Sequence, residues 1–225
     1  MKTVIVTGAN GHLGRVVTDC FQRNDYQVVA IVSPGKKAPP PAITFEADLA
    51  DEELTSAAVQ QIVKNYPTLD ACLLLAGGYA GGKLAETDDR LLDRMIETNF
   101  KTTYHVARPV FEHMLTQANG GRLVLVGARP ALIAKDGKNN VAYALSKSLV
   151  FQLASLLNAE GATKNVITSV VVPSTIDTEA NRQAMPGSDF SKWVSPIDIA
   201  ETMLYLCSEQ ARALRDPIIK MYGNA

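Results

Sequence analysis

Tyr143 and Lys147 stand four residues apart in the stretch "VAYALSK" at 141–147. On a helix that spacing places a phenol and an ammonium on one face, one turn apart. An ordinary phenol has a pKa of about 10 and exchanges its proton reluctantly at neutral pH. A neighbouring ammonium favours the phenolate and draws that value toward the working range, so the pair is a device for moving one proton. Such a device usually has a hydroxyl partner at the end of the preceding strand. Here "LVLVGARP" at 123–130 ends its apolar run in Gly127 and Ala128. Either the pair is inert, or its reaction does not need that hydroxyl.

A second constellation lies near the start of the chain. "VIVTGANGHLG" puts Gly8, Gly11 and Gly14 where an apolar strand turns into a helix, with Asn10, His12 and Leu13 between them. Glycines so placed permit a tight turn, let backbone N–H groups approach a pyrophosphate, and pack helix against strand. The positive end of the helix then faces the phosphates. The next strand ends "AIVSPGKK", so Ser33 lies where an acid would select an unphosphorylated adenosine ribose, with Lys36 and Lys37 behind it. Serine and lysine can receive a 2′-phosphate that an acid would repel, which favours NADP(H) and leaves NAD(H) open. Two lysines in a proline-rich loop are equally ordinary solvated surface.

These groups need a scaffold, and the rest of the chain supplies its pattern. Apolar β-branched runs are expected as strands at Thr3–Thr7, Gln27–Val32, Ile43–Glu46, Asp70–Ala76, Arg122–Gly127, Val166–Val172 and Ile218–Tyr222. Helical patterns fall at Leu13–Asn24, Asp51–Tyr66, Asp88–Gln117, Tyr143–Glu160 and Pro196–Glu209, the last opened by Ser195 as N-cap and Pro196 at the first helical position. Continuous apolar character means strands covered on both faces. The expected fold is α/β: a single Rossmann-like, doubly wound domain with a seven-stranded, mainly parallel sheet and helices on both faces. "SPGKKAPPP" reads as a loop, because strands resume directly after it.

The 225 residues are 47% hydrophobic and 20% charged with a formal net charge of −1. That balance gives no electrostatic footprint for nucleic acid or an anionic membrane. Runs such as "ACLLLAGG" and "VITSVVVP" are far shorter than the roughly 20 residues a spanning helix needs. "MKTVIVTG" turns glycine-rich before an apolar leader segment could form, so no signal peptide is expected. Cys20, Cys72 and Cys207 are scattered without metal-ligand spacing, which suits buried thiols in a reducing compartment and an expected cytoplasmic address.

The order of these motifs resembles the short-chain dehydrogenase/reductase family over essentially the whole length. "TGANGHLG" looks like the family's cofactor loop in its TGxxGxxG variant, and "EADLAD" resembles its adenine-contacting segment, implying Asp48 and Leu49. "LLLAGG" resembles the family's NAG strand without the asparagine, implying Ala76, Gly77 and Gly78 at the cofactor. "ETNFKTTYHVARPVF" resembles the helix whose asparagine holds a relay water, here Asn99. "YALSK" then supplies Tyr143 and Lys147, the lysine also reaching the cofactor ribose. "VVVPSTIDT" resembles the segment that contacts the nicotinamide, implying Pro173, Ile176 and Thr178, with Ser174 in place of a glycine. The resemblance implies a small-molecule substrate and a homodimer or homotetramer built on the two longest helices, Asp88–Gln117 and Tyr143–Glu160.

Four longer segments are similar to the dihydropteridine reductases of that family: "AGGYAGG" at 76–82, "LVGARPAL" at 125–132, "TIDTEANRQAMP" at 175–186 and "SDFSKW" at 188–193. They imply Tyr79 at a substrate-facing tryptophan's place and Ala128 where the family serine is likewise lost. Those enzymes carry an acid after the second strand and prefer NADH; this chain departs from them at Ser33. Their substrate offers an answer to the missing hydroxyl. A ketone builds charge on oxygen, and losing one donor there typically costs about 10²–10³ in rate. A quinonoid dihydropterin is an electron-poor conjugated imine that develops no alkoxide, so positioning and one proton suffice. The expected function is its reduction to tetrahydropterin. Reduction of a quinone or another activated carbonyl, and a non-catalytic NADP-binding sensor, stay open beside it.

Overall fold

The computed structural model describes residues 1–224. Seven strands form one sheet: β1 (Lys2–Thr7), β2 (Tyr26–Val32), β3 (Ile43–Glu46), β4 (Ala71–Leu74), β5 (Gly121–Val126), β6 (Val166–Pro173) and β7 (Ile218–Met221). Their order is β3-β2-β1-β4-β5-β6-β7 and every neighbouring pair is parallel. The chain therefore reverses its direction of winding between β1 and β4. In such sheets ligands bind at the carboxyl edge beside that switch point.

Each face carries its own core. One face packs Ile5, Ile31, Leu74 and Leu125 beneath helices α2 (Glu52–Asn65), α4 (Thr102–Thr116) and α7 (Val141–Gly161). The other packs Val4, Val28 and Leu73 beneath α1 (His12–Arg23) and α9 (Pro196–Leu206). Alternate strand residues feed the two sides, which is why the strands read as unbroken apolar runs. Ser195 Oγ accepts from Ile197 N at 3.1 Å, the cap expected at the start of α9.

Several boundaries differ from expectation for identifiable reasons. β4 stops at Leu74 rather than Ala76, because the buried Thr7 hydroxyl takes the N–H groups of Leu75 and Ala76, at 3.0 and 3.2 Å, in place of a ladder carbonyl. The helix expected over Asp88–Gln117 is three pieces: α3 (Asp89–Ile96), a wide π-type turn over Glu97–Lys101, and α4. Two short helices, α5 (Arg129–Leu132) and α6 (Ala134–Gly137), follow β5, and α8 (Glu179–Ala184) follows β6. None of these three was anticipated, each being six residues or fewer.

Candidate active site

The glycine turn closes as its sequence requires. Gly8 sits at φ +66°, and a Cβ there would press to 3.1 Å on the backbone nitrogen of Ala76. A Cβ on Gly14 would collide with the Gly8 carbonyl. Gly11 is the N-cap of α1 and offers no side-chain cap, and the first turn holds no acid, so the leading N–H groups face outward without a side-chain acceptor. A diphosphate group fits that cradle: it would bring the missing acceptors and negative charge to the positive helix end. Asn10 and His12 flank it, Asn10 through its carbonyl accepting from Arg15 Nε at 3.0 Å. Leu13 packs against the core from the first turn of α1.

Directly across the switch point, β4 leads into Ala76, Gly77 and Gly78. Here the wide turn in the α3–α4 helix acts on the site. One extra residue per turn carries Asn99 into a fully buried position beneath this segment. Asn99 Oδ1 accepts from Gly78 N at 2.9 Å, and Nδ2 donates to Ser146 Oγ at 3.2 Å. Ser146 in turn donates to the Tyr143 carbonyl at 2.8 Å. The asparagine thus stitches the β4 loop to the first turns of α7. A Cβ on Gly77 would stand 2.8 Å from Asn99 Oδ1 and 3.4 Å from Lys147 Nζ, so the backbone crosses directly over both groups.

Lys147 is buried, and its Nζ donates to the Val126 carbonyl at 2.9 Å, leaving N–H donors for a bound group. Burial pushes its pKa down to about 8 from 10.5. Burial also pushes the Tyr143 phenol up to about 12, with the Tyr79 phenol adding to the rise. This corrects the expectation that the lysine lowers the tyrosine. Four-residue spacing fixes a shared face, but it does not reveal that desolvation sets the direction of the phenol's shift. Tyr143 accordingly keeps its proton at neutral pH.

Tyr79 stands edge-on to Tyr143, ring centroids 5.2 Å apart at 75°, and is 67% exposed. Its hydroxyl donates to Asn140 Oδ1 at 2.7 Å, while Asn140 Nδ2 donates to the Asp136 carbonyl at 2.9 Å. A bridge between Gly82 and Asn140 ties the same loop to the start of α7 by its backbone. Asn140 and Ser146 join the candidate site through these hydrogen bonds, and the sequence does not announce either of them. Ala128 is buried just past the end of β5 as the uncapped N-cap of α5, at the carboxyl edge of the sheet. The next residue, Arg129, pairs with Asp136 at 2.7 Å and lies over the Tyr222 ring at 5.1 Å, pinning α5 to α6 and to the end of the chain.

The remaining expected residues lie along the same edge. Pro173 ends β6, and Ile176 bridges Val194. Thr178 Oγ1 accepts from Asn181 N at 3.2 Å, a capping duty at the start of α8. Asp48 Oδ1 accepts from Ala50 N and Leu49 is buried beneath α4. Ser33, Lys36 and Lys37 are exposed in the loop after β2. A cavity of about 900 Å³ opens at the opposite edge of the sheet, beside Lys2, Tyr26 and Asp70, and holds none of these groups. The residues expected to do chemistry gather at the carboxyl edge.

This fold and this edge define a dinucleotide-type oxidoreductase scaffold. Residues 2–188 match the family model for short chain dehydrogenases. The chain belongs to the short-chain dehydrogenase/reductase family. It is 25% identical to an NAD-dependent glycerol dehydrogenase of Listeria innocua serovar 6a, over 93% of this chain and 88% of that one. It is 28% identical to a dihydropteridine reductase of Dictyostelium discoideum, over 90% of this chain and 86% of that one. The solved structure of ElxO with NADP bound superposes with a TM-score of 0.86 at 22% identity, covering 99% and 97% of the two chains. Among the described residues, no helix is long and apolar enough to cross a membrane.

Proposed function

We propose that this chain is an NAD(P)H-dependent reductase that converts quinonoid dihydropterin to tetrahydropterin, with NADPH favoured over NADH. A bound reduced nicotinamide would supply the hydride. Tyr143 gives the accompanying proton to the acceptor nitrogen, so two electrons and two hydrogens are transferred in all. Lys147 holds the cofactor side of the site and restores charge balance near the phenol. Asn99 keeps Gly77 and Gly78 in place, and Gly8, Gly11 and Gly14 receive the diphosphate. Tyr79 presents a ring to a flat acceptor.

The observation that carries this reading is Ala128, which leaves the end of β5 without a hydroxyl in a site whose phenol burial keeps protonated. Burial that holds the phenol at about 12 keeps its proton in place and makes it a weaker acid than usual. Its release during reduction is drawn by the basic nitrogen that hydride addition creates on the acceptor. To serve as a base for alcohol oxidation at pH 7 it would first have to ionise, at a cost of about 7 kcal/mol. A site with one proton to give and no second oxyanion donor suits an acceptor that builds little charge on oxygen. The Dictyostelium relative supports the same acceptor class. The spread of the other relatives' names, which include a 3-oxoacyl-[acyl-carrier-protein] reductase of Thermotoga maritima, favours an activated carbonyl or quinone as the second reading.

The test follows oxidation of NADPH and NADH with enzymatically generated quinonoid dihydropterin, a quinone and a 3-oxoacyl thioester in parallel. Preferential turnover of the pterin is expected. Tyr143→Phe should lower kcat by about 10²–10⁴ while leaving dinucleotide binding in place, and Ala128→Ser should change pterin turnover less than twofold. Tyr79→Ala should raise the pterin KM more than it lowers kcat. Turnover of the thioester alone overturns the pterin assignment, and dinucleotide binding without turnover of any acceptor marks a sensor.

The same proposal includes association into a homodimer or homotetramer. Leu145, Leu149 and Leu156 leave an exposed apolar stripe along α7. Free Cys20, Cys72 and Cys207 fit a reducing, cytoplasmic setting.

A further inference from the structure

The loop after β2 is closed by a group that the motifs do not mention. Val32, the last residue of β2, is in register with Glu46, the last residue of β3, and Ala47 N donates to the Val32 carbonyl at 3.0 Å. The two strand ends therefore stand side by side at the carboxyl edge. From there Glu46 reaches across, and its Oε2 accepts from Gly35 N at 2.8 Å. Gly35 sits at φ +73° with open space around it, and Lys36 N turns back to the Ser33 carbonyl at 3.0 Å. Among the described residues, neither Lys36 nor Lys37 forms an ion pair with Glu46. The loop thus carries two exposed ammonium groups and one exposed carboxylate with an oxygen to spare.

We propose that Glu46 sets the balance between NADH and NADPH in this chain. The inference rests on the reading that the chain binds a nicotinamide dinucleotide. In this fold the loop after the second strand receives the adenosine ribose, and a carboxylate there accepts a ribose hydroxyl. The second strand here ends at Val32 and is followed by Ser33, not an acid. The neighbouring strand brings one to the same place. Glu46 Oε2 is engaged by the Gly35 amide, and the second oxygen is free to accept from a ribose hydroxyl. A 2′-phosphate meets the opposite situation. It is repelled by the carboxylate and competes with it for the Gly35 N–H, while Lys36 and Lys37 draw it in. The cation pair and the acid oppose one another, so both dinucleotides are admitted and Glu46 restrains the preference for NADPH.

The test is a calorimetric titration of NADP⁺ and NAD⁺ into the full chain, with no acceptor present. Glu46→Gln keeps an oxygen for the Gly35 N–H and removes only the charge. It should tighten NADP⁺ about tenfold, loosen NAD⁺ severalfold, and leave the thermal unfolding midpoint unchanged. The change in preference should shrink between 20 and 500 mM salt, as expected for an exposed charge. The double substitution Lys36→Ala, Lys37→Ala should move the preference the other way. A Glu46→Gln preference within twofold of the parent, or equal loosening of both dinucleotides, overturns the inference and leaves the reductase reading standing. A parent chain that binds neither dinucleotide overturns the reductase reading itself.

Discussion

Replacing Lys147 with methionine should change stability in a way that depends on pH. The parent chain buries an ammonium whose pKa falls to about 8 from 10.5. Below pH 8 the group is charged whether folded or unfolded, and the folded state carries the full desolvation penalty, about 3 kcal/mol at ~1.4 kcal/mol per pH unit. Between 8 and 10.5 the unfolded chain holds the proton more tightly than the folded one, so parent stability rises with pH. Methionine fills similar volume without a charge and removes this dependence. It also leaves the Val126 carbonyl without its donor, a cost of about 1–3 kcal/mol that does not vary with pH. The absolute difference between the two proteins is therefore small, and its slope is the informative quantity. Urea unfolding at 25 °C, read by circular dichroism and Trp193 fluorescence, should show the parent gaining about 2 kcal/mol on Lys147→Met between pH 7 and 9.5. Tyrosines and cysteines that ionise toward the upper end of that window do so in both proteins and cancel in the difference. A difference that stays constant within about 0.5 kcal/mol would refute the burial argument and, with it, the picture of an ammonium held under Gly77.

The crossing of Gly77 over Asn99 and Lys147 makes a second expectation. Gly77→Ala should destabilise the chain by about 1–3 kcal/mol, seen as a lower thermal midpoint, because the added methyl meets Asn99 Oδ1 at 2.8 Å. The stripe of Leu145, Leu149 and Leu156 should make the parent chain a dimer or larger by light scattering at micromolar concentration, and Leu149→Glu should shift it toward monomer. A parent chain that is monomeric at that concentration refutes the proposed association.

The sheet was legible because both faces are covered. Unbroken apolar strands leave little room for another assignment, and β3 falls at Ile43–Glu46 as read. The glycine turn was legible for a similar reason, since a backbone at φ +66° pressed against Ala76 leaves glycine little alternative. Sequence pattern failed where geometry depends on a single distant partner. Nothing in "LLLAGG" announces that Thr7 will take two of its amides, and nothing in "ETNFK" announces a widened turn. Asn140 and Glu46 look like ordinary loop and strand-end residues until a 2.7 Å and a 2.8 Å hydrogen bond join them to segments 61 and 11 positions away. The Tyr143–Lys147 pair shows the limit most sharply. Spacing placed the two groups correctly on one helix, yet the sign of the tyrosine's shift is set by burial, which emerges only from the assembled molecule.

The widened turn at Glu97–Lys101 lets one long rod serve two masters. A regular helix advances about 100° per residue, so its whole length must share one phase. An added residue resets that phase, and the Asp89–Ile96 half can be tuned against the loops at the rim while Thr102–Thr116 keeps its own alignment on the sheet. Changes along Asp89–Ile96 can then accumulate without rotating Val106, Val110 and Met114 out of the interior.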